Sequence, residues 1–152
     1  MNKVVLGFAS DHRGYELKNK LVEFFKEKGY DVKDYGTNSI ESCDYPDYAY
    51  LMGKDIVSKN IDFGIGICGS GIGISIALNK MNGVYCAKVN NTEEALHTRL
   101  DNNTNCVAFS GETNYDDAIK IIETFITTEF SNLDKHIRRI EKIKKIESNQ
   151  YA

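Results

Sequence analysis

Residues 65–75, Ile65-Gly66-Ile67-Cys68-Gly69-Ser70-Gly71-Ile72-Gly73-Ile74-Ser75, restrict the possible folds more than any other segment of the chain. An apolar run stops at a thiol, three glycines follow at alternate positions, and a helical pattern begins. A strand turning on bare backbone into a helix points several N–H groups and the positive end of the helix dipole at one spot. A cysteine there is expected to ionise more readily than a free thiol, with room beside it for a small anion. The same turn also suits a tight connection around a buried small residue, so the rest of the chain must decide.

The rest of the chain repeats the alternation. Val4-Val5-Leu6-Gly7-Phe8-Ala9 is nearly all apolar, as for a strand covered on both faces. Leu17, Leu21, Phe24 and Phe25 recur at helical spacing and stop at Gly29. Residues 31–35 suit a weaker, edge strand, and Pro46, the only proline, suits the first turn of a helix running to about Asn60. Residues 63–68 form the third strand and 72–80 its helix; 84–89 the fourth strand and 92–100 its helix; 106–109 the fifth strand. Ala118, Ile121, Ile122, Phe125 and Ile126 mark a further amphipathic helical stretch.

Repeated βα units predict an α/β fold with a parallel sheet, helices on both faces and right-handed crossovers. Ligands of such sheets gather at the carboxyl ends of the strands. Asp11-His12 follows the first strand, residues 68–73 follow the third, and residues 101–105 precede the fifth. A length of 152 residues fits a single domain, 1–152. A net charge of −3 argues against binding nucleic acid over the whole surface. No apolar run approaches the roughly 20 residues that cross a bilayer, and no signal-peptide pattern opens the chain, so a cytoplasmic protein with no membrane partner is expected. Cys43, Cys68, Cys86 and Cys106 lack metal-ligand spacing and read as free thiols.

Over 133–148 one more helix is expected. Leu133, Ile137, Ile140 and Ile143 make an apolar stripe, while Lys135, Arg138, Arg139, Lys142, Lys144 and Lys145 are basic. A helix beyond the last βα unit has no obvious seat in its own domain, which suggests that it lies across a partner subunit; a solvated charged tail is the alternative.

Gly64-Ile65-Gly66-Ile67-Cys68-Gly69 spells GxGxxG, but inside the strand and without an acidic residue about 20 positions on, so a dinucleotide site is not expected. Cys68 has the best case for chemistry. A helix terminus can contribute up to about 2 kcal/mol, enough to make thiolate a substantial fraction and the sulfur a base or nucleophile. His12, His97 and His136 are the only possible imidazole partners, and spacing places none of them. Asp11-His12 could move protons or hold a phosphate, or Asp11 or Ser10 could simply cap the following helix. His97 reads as a helix-surface residue; Cys43, Cys86 and Cys106 read as ordinary small residues in or near the core.

Ser10-Asp11-His12-Arg13-Gly14, Tyr35-Gly36-Thr37, Asp44-Tyr45-Pro46-Asp47-Tyr48-Ala49, residues 67–75 and Asn105-Cys106-Val107-Ala108-Phe109 occur in family order. Together, over almost the whole chain, they closely resemble the type B ribose-5-phosphate isomerases and the related galactose-6-phosphate isomerase subunits. The resemblance implies a metal-free aldose–ketose isomerase without cofactor. Its fold would be a three-layer αβα Rossmann-like sandwich with a five-stranded parallel sheet and an extra C-terminal helix. It would work as a homodimer or homotetramer with shared active sites. By that analogy Cys68 is the base that carries a proton between neighbouring carbons. Ser70 and the amides around Gly69, Gly71 and Gly73 hold the enediolate oxygens, Asp11 and Tyr45 contact sugar hydroxyls, and His12 lies toward the phosphate. Lys135, His136 and Arg139 align with a phosphate-binding Arg-His-x-x-Arg that comes from the other subunit.

Three positions depart from the family pattern. Asp101-Asn102 stands where many members carry His-Asn for ring opening, which leaves Asp101, Asp11 or a displaced histidine for that task and Asn102 for substrate contact. Glu112 stands at a frequent arginine position. Lys135 offers a point charge in place of a guanidinium fork. An acidic residue at position 101 also occurs in the galactose-6-phosphate type. That leaves a different or longer sugar phosphate open, while the expected function is interconversion of D-ribose 5-phosphate and D-ribulose 5-phosphate. The alternatives are a hexose 6-phosphate isomerase, with or without a second type of subunit, and a non-catalytic sugar-phosphate-binding homologue; a nucleic-acid-binding basic helix is the weakest.

Overall fold

The computed structural model of the chain describes residues 4–151. Five βα units run in order: β1 (Val5–Ser10), α1 (Tyr15–Glu27), β2 (Asp31–Asp34), α2 (Tyr45–Val57), β3 (Phe63–Cys68), α3 (Ile72–Asn79), β4 (Cys86–Lys88), α4 (Thr92–Asn102), β5 (Cys106–Ser110) and α5 (Tyr115–Thr127). A last helix, α6, spans Asp134–Glu147. The strands form one sheet in the order β2-β1-β3-β5-β4, every pair parallel, with β2 on an edge as expected. The fourth strand is shorter than its apolar run suggested, and α4 extends two residues further, taking Asp101 and Asn102 into its last turn.

Alternate strand residues supply two cores. Leu6, Phe8, Ile65, Ile67, Val107 and Phe109 pack with Leu21 and Phe25 of α1, Ala95 of α4 and Ile122 and Phe125 of α5. Ala9, Cys68, Cys106 and Ala108 face the other way, against Ala49, Met52 and Ile56 of α2 and Ile74 and Leu78 of α3. This is the three-layer α/β sandwich of the resemblance. The strand positions facing α2 and α3 are small, and at Gly64 a Cβ would stand 2.8 Å from Ile56 Cδ1. These two helices therefore ride close to the sheet, which brings the start of α2 and the start of α3 to the end of β3. No described helix is long and apolar enough to cross a membrane.

One premise needs correcting: α6 has a seat in its own domain. His136 is buried near its start, with Nε2 3.3 Å from Asp101 Oδ1 of α4. Near its end, Glu147 accepts from Gly83 N at 2.9 Å and Tyr85 Oη at 3.2 Å, just before β4. Between these anchors Ile137 and Ile143 stay exposed, as does Leu133 at the N-cap.

Candidate active site

β3 ends on Cys68, and the chain turns through Gly69, Ser70 and Gly71 into α3. Gly71, the N-cap, has φ 81°, and a Cβ there would meet the Phe109 backbone at 2.7 Å. Only glycine combines that backbone with that approach at no steric cost. The turn folds Gly71 N–H back onto the sulfur, donating to Cys68 Sγ at 3.2 Å. Ile72 N–H donates to Ser70 Oγ at 3.1 Å, leaving the Ser70 hydroxyl proton free to face a ligand. Among the described residues the N–H groups of Gly69, Ser70, Gly73 and Ile74 have no acceptor. A thiol, a hydroxyl and a set of unsatisfied N–H donors at a helix start make an oxyanion-binding turn.

Around this turn stand residues from β1 and α2. Asp11 is buried, and its Oδ1 accepts from Arg13 N at 2.9 Å and Gly14 N at 3.2 Å. The capping alternative is thus half right. Asp11 Oδ1 shapes the entry to α1, although the N-cap itself is Gly14, while Oδ2 accepts nothing from the described chain. His12 Nδ1 accepts from Cys43 N at 3.2 Å, so the neutral ring carries its proton on Nε2 and presents a donor there. Tyr45 opens α2, and its ring lies over Gly73, where a Cβ would stand 2.6 Å from Cζ and 2.7 Å from Oη. A cavity of about 480 Å³ lies between Asp11, His12, Cys43 and the α2 start at Tyr45. Cys43 was read only as a small near-core residue. Its place in the cavity wall comes from the loop between β2 and α2, and no spacing signal marks it.

The remaining expected residues gather elsewhere. Cys68 pairs with Ser110 at the carboxyl end of β5, whereas Gly64 pairs with Cys106 at its start. Residues 101–105 precede β5 and so lie at the amino edge, at least about 13 Å from Cys68 at 3.3 Å per strand residue. Asp101 sits there between two imidazoles, 3.3 Å from His136 and 4.0 Å from exposed His97. Asn102, Lys135 and Arg139 are exposed on the same edge. The structure joins Cys68, Ser70, the glycines, Asp11, His12 and Tyr45 into one site, and Asp101, Asn102, His136, Lys135 and Arg139 into a second cluster at the other edge of the sheet, away from Cys68.

Comparison with known proteins fits this geometry. A profile described as ribose/galactose isomerase matches residues 6–143. Ribose-5-phosphate isomerase B of Escherichia coli K12 is 34% identical over 146 residues, covering 95% of this chain and 97% of the relative. The structure of Clostridium thermocellum ribose-5-phosphate isomerase B superposes with a TM-score of 0.93 at 39% identity, covering 96% of this chain and 99% of that one. That of Mycoplasma genitalium ribose-5-phosphate isomerase B with bound ribulose-5-phosphate gives 0.91 at 34% identity, covering 97% and 99%. The chain belongs to the ribose/galactose isomerase family, the one its motifs resemble.

Proposed function

We propose that the chain interconverts D-ribose 5-phosphate and D-ribulose 5-phosphate. The Cys68 sulfur, acting as the base, takes the proton from C2 of the open-chain aldose as the electron pair moves through C1 to the carbonyl oxygen; the proton of the C2 hydroxyl passes to O1, and the resulting cis-enediolate takes the proton from sulfur at C1 as the C2 carbonyl forms. The observation that carries this reading is the Cys68 sulfur itself, accepting Gly71 N–H at 3.2 Å beside a row of unsatisfied N–H donors. That N–H and the start of α3 set donors and the positive end of a helix dipole around the sulfur. The N–H groups about Gly69 and Gly73, with the Ser70 hydroxyl, take the enediolate oxygens; such donors are often worth about 3–4 kcal/mol each. Asp11 Oδ2 and Tyr45 Oη hold sugar hydroxyls, and His12 Nε2–H faces the phosphate end.

A second copy supplies what one copy lacks. Asp101, Asn102, Lys135, His136 and Arg139 lie at the sheet edge opposite Cys68 of their own chain, so the reading needs a homodimer or homotetramer in which α4 and α6 of one subunit close the cavity of another. In that arrangement Asp101 opens the furanose ring by moving the anomeric hydroxyl proton to the ring oxygen as the C1–O4 bond breaks and the C1 carbonyl forms. Lys135 and Arg139 hold the phosphate, and Asn102 contacts the sugar. The same reading sets the protein among cytoplasmic carbohydrate metabolism. Deuterium wash-in from solvent at the reacting carbon, on the purified chain with ribose 5-phosphate, tests it: sugar phosphate bound without wash-in marks a non-catalytic homologue. Asp101 favours one other reading, a hexose 6-phosphate substrate, so turnover of galactose or allose 6-phosphate in preference to the pentose would replace the first.

A further inference from the structure

Arg13 is not accounted for by the site described so far. It lies in the loop from β1 to α1, and both its neighbours fix it. Asp11 Oδ1 accepts its backbone N–H at 2.9 Å, and on the other side a Cβ at Gly111 would run into its carbonyl carbon at 3.0 Å. Its side chain reaches the catalytic turn. A Cβ built on Gly69 would stand 2.5 Å from Arg13 Cζ and 2.8 Å from Nε. Such similar distances place Gly69 under the face of the guanidinium of this exposed side chain, leaving its N–H edges unobstructed by the turn. Among the described residues no carboxylate lies within ion-pairing distance of Arg13 and no acceptor bonds its guanidinium, although the side chain rests on backbone. A planar cation parked on a glycine turn with its donors unused fits an oxyanion that takes two parallel N–H bonds.

The side from which Arg13 approaches selects the anion. Cys68 belongs to the core facing α2 and α3, whereas Arg13 comes from the start of α1, on the opposite face. Its stem therefore enters the turn from the side opposite the core that holds Cys68, with the guanidinium against Gly69. We infer that Arg13 is a phosphate-binding residue of the same chain's active site, gripping the phosphoryl oxygens of the sugar phosphate; this rests on the isomerase reading above.

Arg13→Gln keeps most of the stem and removes the charge. Expected is a KM for ribose 5-phosphate raised about tenfold to a hundredfold, the range of a charge-assisted pair. The inhibition constant of inorganic phosphate should rise in parallel, with kcat within about twofold and partial recovery in Arg13→Lys. Unchanged KM and unchanged phosphate inhibition would overturn the inference, and so would a fall in kcat at constant KM, which would put Arg13 at the reacting carbons. Calorimetric titration with inorganic phosphate needs no turnover. Phosphate binding that weakens in Arg13→Gln, in a wild-type protein inert toward every sugar phosphate, would keep this inference and discard the isomerase reading.

Discussion

The carboxyl and amino edges of the sheet both carry polar residues of the candidate site, but they hold them in different ways. At the carboxyl edge the donors are backbone N–H groups, fixed by a strand end, a left-handed Gly71 and a helix start. At the amino edge the groups are side chains on α4 and α6, with Lys135 and Arg139 exposed and Asp101 half-exposed between His97 and His136. The first arrangement is complete in one copy and costs no reorganisation when charge develops on a ligand. The second has nothing to act on in its own chain. Chemistry that depends on fixed dipoles is local to this fold; on the proposed reading, the charged side chains of α4 and α6 act on a neighbour's turn.

The comparison breaks most visibly at the sulfur. Cys68→Ala should lower kcat by at least about a thousandfold, as loss of a general base does, and abolish deuterium wash-in. The thermal midpoint should move little for so small a change at a strand end. Wash-in at the wild-type rate would remove Cys68 as the base. The sheet holds its own control, because Cys106 is equally interior but lies at the start of β5. Burial, and then its neighbour Cys86, push that thiol up rather than down. Active-site alkylation that substrate slows should therefore stop in Cys68→Ala and continue in Cys106→Ala.

Next in size is the geometry of the turn. Gly73→Ala places a methyl 2.6 Å from Tyr45 Cζ, so either the ring or the first turn of α3 must move. A misplacement on the order of 1 Å costs about a hundredfold in rate. The loss should appear in kcat/KM without unfolding, checked by circular dichroism. Full activity would mean that Tyr45 does not need its place over the turn.

The division between the edges can be tested by mixing. Cys68→Ala and Asp101→Asn chains, each impaired alone, should regain about a quarter of wild-type activity when refolded together, since half the dimers are mixed and one of their two sites is intact. No recovery would make each site the property of one chain. Lys135→Ala and Arg139→Ala should raise KM for the sugar phosphate about tenfold each, with little effect on stability at these exposed positions.

These two edges also differ in how far they could be read from the chain. The turn was legible because its information is local: a thiol after an apolar run, glycines at alternate positions and an apolar helix leave few backbones possible. The five parallel strands and their helices were legible for the same reason, through apolar runs and period. The amino edge was legible only in part. That residues 101–105 precede β5 follows from the strand pattern, but α4 runs two residues longer than its pattern showed because Asp101 and Asn102 continue a polar face. The seat of α6 was hidden as well. It depends on His136 meeting Asp101 and on Glu147 meeting Gly83 and Tyr85, contacts between residues far apart in sequence and individually unremarkable. Cys43 and Arg13 enter the site through loops, where no period announces a direction.

The smallest expected effect separates scaffold from chemistry at the carboxyl edge. Tyr35, just past β2, donates its hydroxyl to Asp55 of α2 at 2.5 Å, tying to the sheet the helix that carries Tyr45. That bond, and then Asn60, hold the Asp55 carboxyl below its usual range, while burial and Asp55 push the Tyr35 phenol up. A carboxylate lowered by folding stabilises the fold above its unfolded value near pH 4, and the contribution fades as pH falls through the folded value. A phenol raised by folding stabilises below its unfolded value near pH 10, and that part fades as pH rises through the folded value. Tyr35→Phe should therefore lose a constant stability between about pH 4 and pH 10, under about 1 kcal/mol because the bond is only part-buried. The gap to wild type should narrow outside that window on both sides, as read by urea denaturation at each pH, while kcat stays unchanged. A gap that stays constant down to pH 2 would show that the ring's packing, and not its bond to the carboxylate, holds α2 in place.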